Sequence, residues 1–184
     1  MSIHQQGLQR VIFTGGPGSG KSTTLLRLHD MGYCTVSESG RDIIKQQMQC
    51  GGDALPWCNT LAFAELMLQQ DIDAFYHAKH APVYFFDRGI PDIAGYLTTI
   101  EQAIPEKLTK AIAQLRYTSQ VFIFPPWRAI YCQDAQRKQS FTIAVHTYEA
   151  MVAVYQRSGY HLITVPRLCA KERAEFILQT LALP

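Results

Sequence analysis

The residues with the clearest chemical pattern lie near the start of the chain: Gly15, Gly16, Pro17, Gly18, Ser19, Gly20, Lys21, Ser22 and, directly after them, Thr23. The first eight match G-x-x-x-x-G-K-[ST], the Walker A pattern of a loop that binds nucleotide phosphates. Glycines let the backbone curl until several N–H groups point inward at a polyphosphate. Lys21 can then reach the outer phosphates, and the Ser22 hydroxyl can bind a Mg²⁺ that bridges them. This P-loop, residues 15–22, predicts a nucleotide site; the alternative is a glycine-rich turn between a strand and a helix.

Two acidic residues form a second candidate group. Glu38 follows a short predicted strand, and Asp87 follows the apolar run at 82–86. One carboxylate beside a P-loop can hold Mg²⁺, and the other can accept the proton of an attacking hydroxyl. We predict that Glu38 is the base and that Asp87 serves the metal with Ser22, and the reverse assignment stays open. The alternatives are a surface carboxylate for Glu38 and a turn or helix-capping residue for Asp87.

Hydrophobic periodicity and glycine or proline breaks define the elements that must position these residues. Strands are predicted at about 9–14, 33–37, 82–86, 117–124 and 160–165, and helices at about 21–31, 40–49, 61–79, 91–99, 105–114, 142–157 and 171–181. Such alternation predicts an α/β fold, a doubly wound parallel sheet of about five strands flanked by helices. Ligands bind at the carboxyl ends of the strands in these sheets, where the P-loop, Glu38 and Asp87 all lie.

The composition narrows the functional class. A chain of 184 residues with 47% hydrophobic residues is expected to form one domain, 1–184, and a net charge of +2 does not favour a nucleic-acid partner. Five cysteines without a C-x-x-C pair are typical of reduced thiols, and we expect a cytoplasmic protein. No apolar run reaches 18 residues, so no membrane span is expected. His77 and His80 could hold a metal, but no third ligand accompanies them and a helix C-terminus favours such cations.

Four motifs recur in an order that resembles a known family. They are the P-loop, E-x-x-R at 38–41, DRG-x-x-D at 87–92, and Pro125-Pro126-Trp127 with a following D-x-x-R at 134–137. In this order they resemble the kinase branch of the P-loop NTPases, and in particular the predicted ATPases with an AAA-type domain akin to the nicotinamide riboside kinase domain of NadR. Deoxynucleoside kinases are similar but carry Ser where this chain has Gly89. The Walker B pair, sensor arginine and small helical domain of ring-forming AAA machines are not visible.

The resemblance implies roles for further residues. The segment at about 127–140 would be a LID that closes over the nucleotide, with Arg128 and Arg137 on the transferring phosphate; the alternative is a solvated basic loop. The implied acceptor pocket comprises Glu38, Arg41, the loop from Trp57 to Thr60, Arg88 and Tyr96. Trp57 or Tyr96 could stack on a ring or could belong to the core. The implied catalytic set is Lys21, Glu38, Asp87, Arg88, Arg128 and Arg137.

The expected function is a Mg-ATP-dependent kinase that transfers the γ-phosphoryl group to a hydroxyl of a nucleoside-like or other small metabolite. The alternative is a nucleotide-dependent switch, using ATP or GTP, that acts on a protein or lipid partner. Glu38 beside Asp87 favours the kinase, because a switch needs the metal ligand but no acceptor base. A G-protein is disfavoured because the sequence has no N-K-x-D guanine motif. The acceptor and the oligomeric state are not predicted.

Overall fold

A parallel five-stranded sheet forms the centre of the fold. The computed structural model describes residues 7–131 and 140–184. The strands are β1 (Gln9–Gly15), β2 (Cys34–Val36), β3 (Val83–Asp87), β4 (Gln120–Phe124) and β5 (His161–Thr164). They lie side by side in the order β2-β3-β1-β4-β5, and all four neighbouring pairs are parallel. The carboxyl end of β1 therefore lies between those of β3 and β4.

Within the described residues there are seven α-helices, six between the strands and one after β5. They are α1 (Lys21–Asp30), α2 (Ser39–Cys50), α3 (Thr60–His77), α4 (Ile90–Thr99), α5 (Glu106–Gln114), α6 (Phe141–Arg157) and α7 (Ala170–Thr180). A 3₁₀ turn covers Arg128–Ile130, in the segment predicted as loop. The predicted doubly wound parallel sheet is confirmed. Among the described residues, no helix is both long and apolar enough to cross a membrane.

The core has two layers because side chains of a strand alternate between the two faces of a sheet. On β1, Ile12 enters the layer with α3, α4, α5 and α6, while Val11 and Phe13 enter the layer with α1 and α7. The Phe13 ring lies 5.2 to 5.9 Å from three other phenylalanine rings, those of Phe85, Phe122 and Phe124. Helices thus cover both faces, which explains the continuous apolar run in β3.

One predicted strand boundary is wrong. The apolar pattern placed the start of the fourth strand at Tyr117, but β4 begins at Gln120. The Tyr117 side chain is buried, and its ring packs against the rings of Phe75 and Phe86 at 5.1 and 5.4 Å. An apolar residue that fills the core before a strand has the same sequence signature as one within it.

Candidate active site

The P-loop joins β1 to α1 and has the backbone shape that its glycines predict. Gly15, Gly18 and Gly20 have φ angles of 127°, 71° and 86°, a region that favours glycine. A Cβ added at Gly16 would lie 2.3 Å from the carbonyl oxygen of Ala144 in α6. Helix α1 begins without a side-chain cap. The N–H groups at its start are therefore available to a ligand, and the helix dipole favours an anion there.

Lys21 is buried and folded back into the loop. Its Nζ donates to the carbonyl oxygens of Gly15 and Gly16 at 3.3 and 3.0 Å. Burial, together with the charge of Arg88, lowers the pKa of Lys21 from 10.5 to about 8. The ammonium is therefore still largely charged at neutral pH. Because these carbonyls are weaker partners than a phosphate anion, the side chain is suited to bind a phosphate in their place.

Ser22 and Asp87 meet at the carboxyl ends of adjacent strands. The Ser22 hydroxyl donates to Asp87 Oδ2 at 2.8 Å. Asp87 Oδ1 is buried and has no hydrogen-bond partner within the described residues. Burial raises the pKa of Asp87, with the positive charge of Lys21 opposing that effect. A hydroxyl oxygen and a carboxylate with an unused oxygen are the donors that Mg²⁺ takes beside nucleotide phosphates, so these residues fit that ion.

Glu38 is held in an ion pair with Arg88. Arg88 Nε donates to Glu38 Oε1 at 2.9 Å, and Arg41 Nε lies 3.6 Å from Glu38 Oε2. Burial alone would raise the pKa of Glu38, but the charges of Arg88, Lys21 and Arg41 together lower it. Glu38 is therefore an anion at neutral pH, as a base must be before it accepts a proton.

Arg88 donates hydrogen bonds to three neighbouring residues. Besides Glu38, its Nη1 donates to the Gly15 carbonyl at 3.2 Å and to Asp92 Oδ1 at 3.0 Å. Its backbone has φ of 74°, a left-handed conformation that costs free energy for a residue with a side chain. Burial lowers the pKa of Arg88, but the carboxylates of Glu38 and Asp92 more than compensate and raise it, so the guanidinium stays charged.

Asp92 accepts four hydrogen bonds from three segments of the site, a role that the sequence did not predict. It is 3% exposed. Its Oδ1 accepts from the Thr14 hydroxyl at 2.7 Å and from Arg88, and its Oδ2 accepts from Gly89 N–H at 3.0 Å and the Tyr155 hydroxyl at 2.6 Å. The place of Asp92 in the first turn of α4 was a signal, since a carboxylate there can accept from the N–H of the residue before the helix. The contributions of Thr14 and Tyr155 come from distant parts of the chain and had no local signal.

A fourth carboxylate, Asp71 of α3, was also missed. Burial raises its pKa to about 7, the charges of Asp92 and Glu38 act in the same direction, and a hydrogen bond with the Ser39 side chain opposes them. Asp71 lies in an ordinary amphipathic helix, and nothing in its sequence context distinguishes it from a surface carboxylate.

Of the residues predicted for the acceptor side, Arg41 and Arg88 are the ones that the described contacts place against Glu38. Arg41 is exposed and contacts Glu38 from α2. Tyr96 of α4 is half-buried, and its ring meets that of Phe63 edge-on at 5.9 Å. Trp57 is 64% exposed, so it is not a core residue. Stacking of the exposed Trp57 ring on a ring of the acceptor stays a prediction.

The predicted LID is described only at its ends. Arg128 is exposed, and its guanidinium lies 5.1 Å from the centre of the Phe141 ring at the start of α6. Arg137, the other predicted phosphate clamp, lies outside the described residues, as does Asp134. The roles of Arg128 and Arg137 remain predictions.

Comparison with known proteins supports this fold. NadR, solved in complex with NAD and AMP-PNP, superimposes with a TM-score of 0.69 at 14% identity, covering 98% of this chain and 51% of that one. Deoxyadenosine kinase from M. mycoides superimposes with a TM-score of 0.66 at 13% identity, covering 95% of this chain and 99% of that one. Shikimate kinase from Acinetobacter baumannii superimposes with a TM-score of 0.56 at 13% identity, covering 96% of this chain and 94% of that one.

These solved structures share the fold of the chain, which spans about half of the NadR chain. No curated protein matches the sequence significantly. A family model described as an AAA domain matches residues 10–173, nearly the whole chain. The chain therefore belongs to this AAA-domain family and has the P-loop fold of small-molecule kinases.

Proposed function

We propose that this protein is a Mg-ATP-dependent kinase that transfers the γ-phosphoryl group to a hydroxyl of a nucleoside-like or other small metabolite. The observation that carries the proposal is the pair of carboxylates beside the P-loop. Asp87 is bonded to Ser22, the residue that the motif assigns to the metal, while Glu38 stands on the neighbouring strand end as an anion. A protein that only binds nucleotide needs the first carboxylate and has no use for the second.

In the proposed reaction the acceptor oxygen forms a bond to the γ-phosphorus, and the bond from that phosphorus to the β–γ bridging oxygen breaks. The bridging oxygen leaves on ADP with the electron pair. Glu38 takes the proton of the attacking hydroxyl, and Lys21 balances charge on the phosphates. Mg²⁺, held by Ser22 and Asp87, would neutralise the developing charge on the phosphate oxygens.

Arg88 has a defined task in this scheme. Since it keeps Glu38 ionised and oriented, Glu38 can accept a proton only if the bond to Arg88 weakens as the proton arrives. The low pKa makes Glu38 a weak base in this resting arrangement. Asp87 has the opposite tendency, because burial raises its pKa. This difference is the physical reason to test both carboxylates as the base.

The names of the structural neighbours are consistent with a small acceptor. They include kinases of deoxyadenosine and shikimate, together with a thymidylate kinase from Ehrlichia chaffeensis. Their acceptors differ in chemistry and share a nucleophilic oxygen. A panel of nucleosides, nucleoside monophosphates, ribosides and hydroxylated acids is therefore the appropriate set of candidates.

The test is ADP release from Mg-ATP in the presence of each candidate acceptor. We expect turnover that depends on one acceptor class, that disappears in Lys21→Ala, and that requires more Mg²⁺ in Ser22→Ala. Lys79→Ala, at an exposed lysine after α3, is the matched control and should behave as wild type. Tight Mg-ATP binding with no acceptor-dependent turnover across the panel would refute the kinase and favour a nucleotide-dependent switch. No nucleotide binding at all would refute both.

A further inference from the structure

Arg173 connects the last helix to the P-loop. It lies in the first turns of α7 and is 5% exposed. Its Nη1 donates to the backbone carbonyl oxygens of Ser19 and Gly20, both at 3.2 Å. Those residues directly precede Lys21, so the contact falls on the part of the loop where the phosphate-binding N–H groups lie. Arg173 lies outside the P-loop motif, and the motif assigns no role to it.

The surroundings of Arg173 confine its side chain. The guanidinium carbon lies 5.9 and 5.7 Å from the ring centres of Phe124 and Trp127. A Cβ at Gly20 would lie 2.3 Å from Nη1, so only glycine permits this approach. Arg173 Nε is buried and has no hydrogen-bond partner within residues 7–131 and 140–184. A buried donor without a partner opposes folding, which indicates that stability alone does not explain an arginine here.

The two carbonyls determine where the loop amides point. The described peptide bonds are all trans, so the C=O and the following N–H of each peptide point in opposite directions. When Arg173 holds the Ser19 and Gly20 carbonyls toward α7, the N–H groups of Gly20 and Lys21 are turned away from α7. The Gly20 carbonyl also accepts from the Thr24 N–H and hydroxyl, at 3.2 and 3.0 Å, so α1 fixes the Gly20–Lys21 peptide without Arg173. The Ser19–Gly20 peptide depends on Arg173, because the glycine after Ser19 permits many backbone conformations.

We propose that Arg173 is a positioning residue that, through the Ser19 carbonyl, aims the Gly20 N–H group at the phosphates of a bound nucleoside triphosphate. This inference rests on the proposed function only in requiring that the site bind such a ligand. Arg173 acts through the loop, since its Nη1 donates to backbone carbonyls of the loop. Its loss therefore weakens binding of any ligand that carries the polyphosphate, whatever base is attached.

The test compares the dissociation constants of Mg-ATP and Mg-tripolyphosphate by calorimetry. Arg173→Met keeps the length of the side chain and removes its donors. We expect both constants to rise by about 10- to 100-fold, the effect of losing charged hydrogen bonds that preorganise a site. Arg173→Lys retains a donor within reach of one carbonyl, and both constants should rise by about three- to tenfold. Arg116→Met is the matched control, because Arg116 is exposed and lies over the Tyr160 ring, at 4.0 Å.

Several outcomes would overturn the inference. Wild-type affinity in folded Arg173→Met would do so, and so would a loss confined to Mg-ATP, since Arg173 would then act on the base. If Arg173→Met does not fold, Arg173→Lys becomes the test. Dissociation constants of Arg173→Lys within twofold of wild type would then refute the positioning role. Wild-type protein that binds neither ligand would refute the proposed function and this inference with it. Binding by the wild type that Lys21→Ala abolishes and Arg173→Met leaves intact would refute this inference alone.

Discussion

Asp71→Asn should stabilise the protein at alkaline pH. Burial raises the pKa of Asp71 from 3.8 to about 7, so the folded protein binds this proton more tightly than the unfolded chain does. Between pH 3.8 and 7 the carboxyl group ionises more readily after unfolding, and the free energy of unfolding falls as the pH rises. Asparagine has nearly the same shape and cannot ionise, so the variant avoids that loss.

The size of the effect follows from the pKa shift. A change from 3.8 to about 7 is worth at most about 4 kcal/mol at 1.36 kcal/mol per pKa unit. The Asp71 side chain is only half-buried, and contact with water reduces this value. We expect the variant to exceed wild type by about 1 to 3 kcal/mol at pH 8.5. The advantage should shrink toward zero as the pH falls to about 4.

Urea denaturation at pH 4.5, 6.5 and 8.5 measures this difference. The matched control is Asp73→Asn on the same helix, where the carboxylate is exposed and accepts from Gln69 Nε2 at 3.2 Å. It should change the free energy of unfolding by less than about 0.5 kcal/mol at each pH. An Asp71→Asn difference that is constant with pH, or a loss of stability at pH 8.5, would refute the reasoning.

Three further substitutions test the site. Glu38→Gln should retain Mg-ATP binding and lower kcat by about 10²- to 10⁴-fold, the contribution of a positioned base; the same loss in Asp87→Asn, with Glu38→Gln near wild type, would reverse the roles. Asp87→Asn should weaken the binding of Mg-ATP by about tenfold, while the binding of metal-free ATP, measured with EDTA, is unchanged. Equal weakening of both affinities would argue against a metal role. Asp92→Asn should lower the free energy of unfolding by about 2 to 4 kcal/mol in urea. If the amide oxygen accepts from Gly89 N–H and the Tyr155 hydroxyl, the NH2 group must face the Arg88 donor; a loss below about 1 kcal/mol would contradict this.

Local patterns were sufficient to predict the sheet and the P-loop. The run before Asp87 is apolar on both faces because helices cover both sides of the sheet, and the glycines at 15, 18 and 20 have the positive φ angles that the loop motif requires. The order of the strands then placed Glu38 and Asp87 at the same edge of the sheet, at the carboxyl ends of the strands. Each of these inferences depends on residues close together in sequence or on general rules of parallel sheets.

The contacts that hold the site together were not predictable in this way. Asp92 is bonded to Thr14 and Tyr155, which are 78 and 63 residues away along the chain. Arg88 was expected in the catalytic set and the acceptor pocket, and the structure shows its Nε and Nη1 donating to Glu38, Asp92 and Gly15. Such partners depend on side-chain directions after packing, and a single sequence contains no periodic signal for them.

The contact between Arg173 and the P-loop also affects when the site can form during synthesis. Arg173 donates to residues that lie 154 and 153 positions earlier in the chain. The loop leaves the ribosome well before its partner, which emerges only after all five strands have been made. A nascent chain can therefore form the glycine-rich turn early but cannot complete the contact until α7 has emerged. Fragments that stop before α7 would carry the P-loop sequence without the arginine that holds its carbonyls.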